Sequence, residues 1–256
     1  MTAFYEELLA CALEAASAGA AELKARHGGP LQINSKTSPE DAVTDADLAA
    51  EATVRAVISR LRPNDSITGE ELAAHVGESA KVRWSIDPLD GTVNFTRGIP
   101  YFATSVGAFD IEAGHWVAGA VVAPALGRTY FASKGGGAFL IQDGNKRQLF
   151  GPPKDRLTKI IATGFSYSAK ERDAQFAHLE AIMPSFVDVR RMGSAALDAC
   201  MVADGTVDVY FERHIKEHDW AAALLIAEEA GQSVRRPAFV GDFGAVNYSL
   251  PAPEGL

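Results

Sequence analysis

Three acidic sites in this 256-residue sequence stand at the ends of apolar segments, where folding could gather them. Glu70 follows the short run 66–68. Asp87 and Asp90 flank a proline in Asp87-Pro88-Leu89-Asp90-Gly91-Thr92, directly after the run 82–86. Asp219 precedes the apolar stretch 220–230, which Gly231 ends. Carboxylates suit a hard divalent cation, and Mg²⁺ takes a few of them together with waters and substrate phosphate. Two aspartates three residues apart in a bent segment can address adjacent ions, and the Leu89 carbonyl between them is a further oxygen. Thr92 brings a hydroxyl, while Gly91 lets backbone approach closely and offers its N–H to phosphate.

Each site has a plainer reading. Asp, Pro and Gly are turn formers, so residues 87–91 could be only a surface turn. Asp219 could be a helix N-cap, a commoner role than ligation. Glu70-Glu71 could be a solvated loop.

The elements that must position these groups follow from periodicity. Residues 4–26 predict an amphipathic helix with Leu8, Leu9, Ala12, Leu13 and Ala16 at helical spacing, ended by Gly28-Gly29-Pro30. The polar stretch 34–41, with Lys36 and Asp41, reads as an exposed loop expected to close over the site. A second helix starts near Thr44, where Thr44-x-x-Asp47 resembles a capping box. Its expected apolar face is Leu48, Ala52, Val54, Val57, Ile58 and Leu61. Runs at 66–68, 82–86, 103–109, 116–122, 128–132 and 138–141 predict strands, most of them in an antiparallel meander, with Gly135-Gly136-Gly137 as a hairpin turn. Composition shifts near residues 150–154, so the expected lobes are 1–149 and 150–256. Beyond the shift, strands at 159–163, 187–190 and 207–211 alternate with helices at 173–183, 194–203 and 220–230, which is α/β order.

Bulk composition narrows the function classes. A net charge of −9 argues against a broad nucleic-acid surface, which needs a basic stripe. It permits a phosphorylated small molecule, because a divalent cation reverses the local field. Cys11 and Cys200 lie in alanine-rich helical patterns and read as small buried hydrophobes. The N-terminal residues carry acids early and have no basic leader region, and no uncharged stretch is long enough for a membrane span. The expected location is cytoplasmic.

Six segments together resemble the inositol monophosphatase family. Residues 84–102, WSIDPLDGTVNFTRGIPYF, are similar to its first signature, and Gly69-Glu70-Glu71 to its upstream Gly-Glu-Glu. Lys36 followed by Asp41-x-Val43-Thr44-x-x-Asp47 resembles its N-terminal element. Arg191-Met192-Gly193-Ser194-Ala195-Ala196 and Tyr210-Phe211-Glu212 resemble its substrate segments. Asp219, Ala221-Ala222 and Glu228-Glu229-Ala230-Gly231 resemble its C-terminal signature. The motifs occur in family order over residues 36–231.

The resemblance implies an α/β fold with an α+β N-terminal lobe and an α/β C-terminal lobe, layered αβαβα as in sugar phosphatases. It implies Mg²⁺-dependent hydrolysis of a small polyol phosphate by metal-activated water, with two or three ions per site. Glu70, Asp87, Leu89, Asp90 and Asp219 would be the metal ligands. Glu70 and Thr92 would orient the water, with Asp47 bonded to the Thr92 hydroxyl. Asp90, Gly91, Thr92, Gly193, Ser194, Ala195, Glu212 and Asp219 would contact substrate. Lithium sensitivity and homodimerisation are further implications, with no nucleic-acid or membrane partner. Val93-Asn94-Phe95 and Glu212 favour myo-inositol monophosphate. The alternatives are a sibling phosphatase for histidinol phosphate, fructose 1,6-bisphosphate or NADP, and, in another class, a non-catalytic regulator or scaffold. One departure stands out: the family usually has Trp before the last metal aspartate, whereas this chain has His218-Asp219-Trp220. His218 could reach a leaving group, but the preferred expectation is a partly buried loop histidine filling the Trp space.

Overall fold

Small residues on two long helices let them pack closely over one sheet. The computed structural model describes residues 3–29, 33–35 and 42–249. Helix α1 (Ala3–Arg26) buries Leu8, Ala12, Ala16, Gly19 and Leu23 along one stripe. Strands β1 (Ile33–Ser35) and β2 (Ala42–Thr44) pair antiparallel before α2 (Asp45–Leu61). Asn34 and Ser35 are thus strand residues, while Lys36, Asp41 and the loop expected between them lie outside the described residues.

Helix α2 begins as the sequence predicts. The Thr44 hydroxyl accepts from the Ala46 and Asp47 amides, and the Asp47 carboxylate accepts from the Thr44 amide at 2.8 Å. Its buried face differs from the expected one. Ala46, Asp47, Ala50, Glu51, Val54 and Ile58 point inward, whereas Leu48 and Leu61 are exposed. Asp47 and Glu51 have partners inside, so the helix is rotated to bury two carboxylates that an apolarity pattern assigns to solvent.

The main sheet runs β3-β4-β5-β6-β7-β8-β9. Its strands are β3 (Ser66–Gly69), β4 (Val82–Asp90), β5 (Ala103–Asp110), β6 (His115–Ala123), β7 (Arg128–Ser133), β8 (Gly137–Gln142) and β9 (Asn145–Gln148), with α3 (Thr92–Thr96) between β4 and β5. Only β3 and β4 are parallel; the rest is the expected meander. The exposed polar strand β9 and the single-turn α3 carry no apolar period, so the sequence alone does not reveal them. Residues 87–90, expected as a tight turn, are the end of β4. Asp87 pairs with Ser105 and Asp90 with Ala103, and the register shifts between them. Pro88 cannot donate to a ladder, and a bulge there accommodates it.

The second sheet, β11-β10-β12-β14-β13, is built from β10 (Ile160–Thr163), β11 (Asp188–Arg190), β12 (Val209–Arg213), β13 (Val234–Arg235) and β14 (Phe243–Val246). Its helices are α4 (Ala169–Ile182), α5 (Ala195–Ala203) and α6 (Glu217–Glu229). Strands β11, β10 and β12 are parallel, and β14 and β13 join antiparallel. The five layers are α1 with α2, the seven-stranded sheet, α5 with α6, the five-stranded sheet, and α4. This is the αβαβα sandwich. Cys11 and Cys200 are free and buried in α1 and α5, and burial pushes the Cys11 thiol up to about 12. No helix among the described residues is long and apolar enough to cross a membrane.

The apolar run of β6 is covered on both faces, with Ala118, Ala120 and Val122 toward α1 and Val121 and Ala123 toward α6. Gly107 and Gly119 are paired across β5 and β6, and α6 lies directly over them. A Cβ on Gly119 would stand 2.9 Å from the Ala222 Cα and 3.1 Å from its carbonyl oxygen. Because that neighbour is backbone, it cannot give way cheaply. Gly119→Ala is expected to destabilise the protein by about 1–3 kcal/mol, read as a lower denaturant midpoint at unchanged slope. An unmoved midpoint would show that α6 is not held at this distance.

Candidate active site

Four backbone segments meet where β4 ends: the loop after β3, the first turn of α3, and the N-termini of α5 and α6. Glu70 follows β3 directly. The loop that bears it is gripped by Glu51 of α2, whose carboxylate accepts from the Glu71 amide at 2.7 Å, the Leu72 amide at 3.2 Å and Arg55 Nε at 2.7 Å. Gly69 is required here, since a Cβ would fall on the Glu51 carboxylate. Glu51 was missed by sequence reasoning. The legible signal was an acid one turn after Asp47 on the same helix.

Asp87 is fully buried and accepts from the Leu89 amide at 3.0 Å, which turns the bulge inward. The Thr92 hydroxyl lies 3.3 Å from Asp47 Oδ1 and 3.1 Å from the Leu89 carbonyl oxygen. Asp47 is itself fixed by the capping box, since its other oxygen takes the Thr44 hydroxyl at 2.5 Å. Gly91 adopts φ +101°, open to glycine alone without strain, and a Cβ would stand 3.0 Å from the Tyr101 carbonyl oxygen.

Asp90 reaches across to α5. It accepts from the Ser194 hydroxyl at 2.6 Å and from the Ala195 and Ala196 amides at 3.2 and 2.7 Å. Ser194 is also the N-cap of α5, accepting from the Leu197 amide, and it is almost wholly buried. Its position is therefore behind the cavity wall, where it supports Asp90.

Helix α6 starts three residues earlier than the sequence predicts, so Asp219 is its third residue and not its cap. Its carboxylate accepts from the Lys216 amide at 2.6 Å. Glu217 pairs bidentately with Arg83 of β4, whose guanidinium lies over the Phe109 and Trp116 rings at 5.2 and 5.4 Å. That clamp sets the first turn of α6 above β4. His218 is consequently a helix residue and not a loop filler.

These groups share one cavity of about 660 Å³. Glu70, Asp87, Leu89, Asp90, Gly91, Thr92, Gly193, Ala195, Glu212 and Asp219 all line it, whereas Asp47 and Ser194 stand behind it. Carboxylate oxygens of Glu70 and Asp87 and an imidazole nitrogen of His218 lie within 4.8 Å of one another. Asp90 and Asp219 are outside that group: Asp90 is turned to the start of α5, and Asp219 gives one oxygen to the Lys216 amide while the other lies 3.5 Å from His218 Nε2. Arg213, His214 and Lys216 also reach the cavity wall, as do Phe165 and Tyr167. The basic residues follow Glu212 so closely in sequence that they could have been noticed; the aromatic pair gave no signal.

The charges oppose one another. Burial, then the neighbouring Glu70, Asp90 and Asp219, hold the Asp87 carboxyl far above the usual carboxylate range. Burial and Asp219 push Asp90 from 3.8 up to about 8 despite its hydrogen bonds, and burial lifts Glu212 to about 7. Asp219 is raised by burial and by Glu70, with His218 opposing. Hard oxygen donors under mutual repulsion fit a hard divalent cation, which would neutralise them together.

Known proteins resemble this chain over most of its length. The family model described as "Inositol monophosphatase family" matches residues 5–246. The inositol-1-monophosphatase of Mycobacterium leprae is 40% identical over 240 residues, spanning 92% of this chain and 81% of that protein. A Haemophilus influenzae protein named Nus factor SuhB is 39% identical over 215 residues, 82% of this chain and 75% of that protein. The structure of Mycobacterium tuberculosis SuhB superposes with a TM-score of 0.79 at 38% identity, covering 93% and 89% of the two chains.

Removing one of these charges should stabilise the metal-free protein. A carboxyl with a raised folded pKa binds its proton more tightly when folded. Its ionisation penalty is absent below the unfolded value and grows as pH rises toward the folded one. For Asp90 that window runs from 3.8 to about 8, and Asp87 is shifted in the same direction. Asp87→Asn keeps an oxygen for the Leu89 amide. In chelator-treated protein its melting temperature is expected to exceed the parent's by a margin that widens from pH 5 to pH 8. A constant margin would remove Asp87 from the repulsive cluster.

Proposed function

The chain belongs to the inositol monophosphatase family, and from that premise we propose that it is a Mg²⁺-dependent phosphatase of a small polyol phosphate, myo-inositol monophosphate first. The observation that carries this is the convergence of Glu70, Asp87, Asp90 and Asp219 on one cavity that also presents Thr92. Bound Mg²⁺ would offset the charge on the phosphoryl oxygens and acidify the attacking water.

The remaining steps belong to the chain. Glu70, Asp87, the Leu89 carbonyl, Asp90 and Asp219 hold the ions. Glu70 and the Thr92 hydroxyl orient the attacking water, and Asp47 fixes that hydroxyl from behind at 3.3 Å. The Gly91 and Thr92 backbone lies against the phosphate. Glu212, steadied by the Tyr210 hydroxyl at 3.1 Å, accepts hydroxyl protons of the polyol beside Gly193 and Ala195. On this reading the protein works as a cytoplasmic homodimer on a free small molecule.

A sibling substrate on the same site is the nearest alternative. The name Nus factor carried by some relatives motivates a non-catalytic role as the second reading. A panel of inositol monophosphate, histidinol phosphate, fructose 1,6-bisphosphate and NADP with Mg²⁺ separates them by phosphate release. Inositol monophosphate should be the best substrate, and Asp87→Asn should lower its turnover at least about a hundredfold. If inositol monophosphate is the poorest of the four, the substrate assignment fails; if none is hydrolysed, the catalytic reading fails.

Glu51→Gln tests the grip on the Glu70 loop. An amide cannot accept from all three donors, and its NH₂ must face a backbone N–H. Divalent-ion affinity by titration calorimetry is expected to drop about 10–100-fold with little change in the affinity for product phosphate. An unchanged ion affinity would show that the loop holds its place without Glu51.

A further inference from the structure

His218 occupies the position where the family usually has Trp, and the fold does not leave it as packing. Its ring nitrogen is within 4.8 Å of the carboxylate oxygens of both Glu70 and Asp87, in the cavity, on the first turn of α6. The Arg83–Glu217 pair fixes the preceding residue to the same strand that carries Asp87, so the approach of His218 is set by two elements. Its other recorded polar neighbour is Asp219 Oδ1, 3.5 Å from Nε2. Two carboxylates and an imidazole converging on one point form a mixed oxygen and nitrogen donor set. Mg²⁺ takes oxygen almost exclusively, whereas imidazole suits Mn²⁺, Co²⁺ and Zn²⁺.

We propose that His218 is a nitrogen ligand to the divalent ion held by Glu70 and Asp87. This donor set makes the site accept imidazole-binding transition ions more tightly than an all-oxygen site would. The inference rests on the metal-dependent reading above and adds a ligand to it. Tryptophan offers no acceptor nitrogen, so the substitution changes the donor count at this position and not only the shape of the wall.

Mn²⁺ provides the direct probe. Pulsed electron paramagnetic resonance of Mn²⁺ bound to the full chain is expected to show ¹⁴N modulation, converted to ¹⁵N lines when the protein is grown on ¹⁵N-histidine. His218→Phe should abolish the modulation and weaken Co²⁺ binding about 10–100-fold while changing Mg²⁺ affinity by less than about threefold. His218→Trp, which restores the usual aromatic residue, serves as the second variant if the phenylalanine protein does not fold. Mn²⁺ bound without nitrogen modulation, or modulation that survives both variants, overturns the His218 ligand alone. Failure of Mn²⁺, Co²⁺ and Mg²⁺ to bind at all overturns it together with the metal-dependent reading.

Discussion

Five carboxylates face one cavity, and the repulsion among Glu70, Asp87, Asp90 and Asp219 in a medium poorer than water governs what the surrounding structure has to do. At an effective dielectric near 20, two unit charges about 4 Å apart repel by about 4 kcal/mol. Among the described residues no side chain donates a hydrogen bond to Asp87, which accepts from the Leu89 amide. The arrangement persists because each acid is anchored from behind by an element with its own reasons to be there. Asp90 is fixed by the start of α5, Asp219 by the start of α6, and Glu70 by a loop bound to Glu51.

The layered fold makes this anchoring possible. α6 lies between the two sheets, and its alanine face presses on the glycine pair of β5 and β6. Bulkier residues at that contact would lift the helix and with it Asp219 and His218. The Arg83–Glu217 pair adds direction, setting the rotation of the first turn over β4. Partly exposed ion pairs contribute little to stability as a rule, so its role here is positional.

Rigid supports also explain why the donors differ in kind around the cavity. The Glu70 and Asp87 end gathers an imidazole, whereas the Asp90 and Asp219 end is occupied with backbone amides. Beyond them, Arg191, Arg213 and Lys216 also line the cavity, and Arg191 opposes the rise to about 7 that burial gives the Glu212 carboxyl.

The sequence alone determined the two N-terminal helices, the meander from β4 to β8, the strand and helix alternation from β10 to α6, the capping box at Thr44 and Asp47, and the acids at positions 70, 87, 90 and 219. Those features are written locally, in periodicity, in turn chemistry and in ordered motifs. Other features arose only where distant segments met. The bulge that ends β4 exists because Pro88 cannot donate to β5, so the expected turn became strand. The phase of α2 was misjudged because Glu51 is buried by backbone amides twenty residues away, a partner no helical period records. Asp219 moved from cap to third residue, and His218 from loop filler to cavity wall, once the Arg83–Glu217 pair extended α6. Which acids and bases share a cavity is a property of distances, and only the packing of α6 onto the sheet decided it.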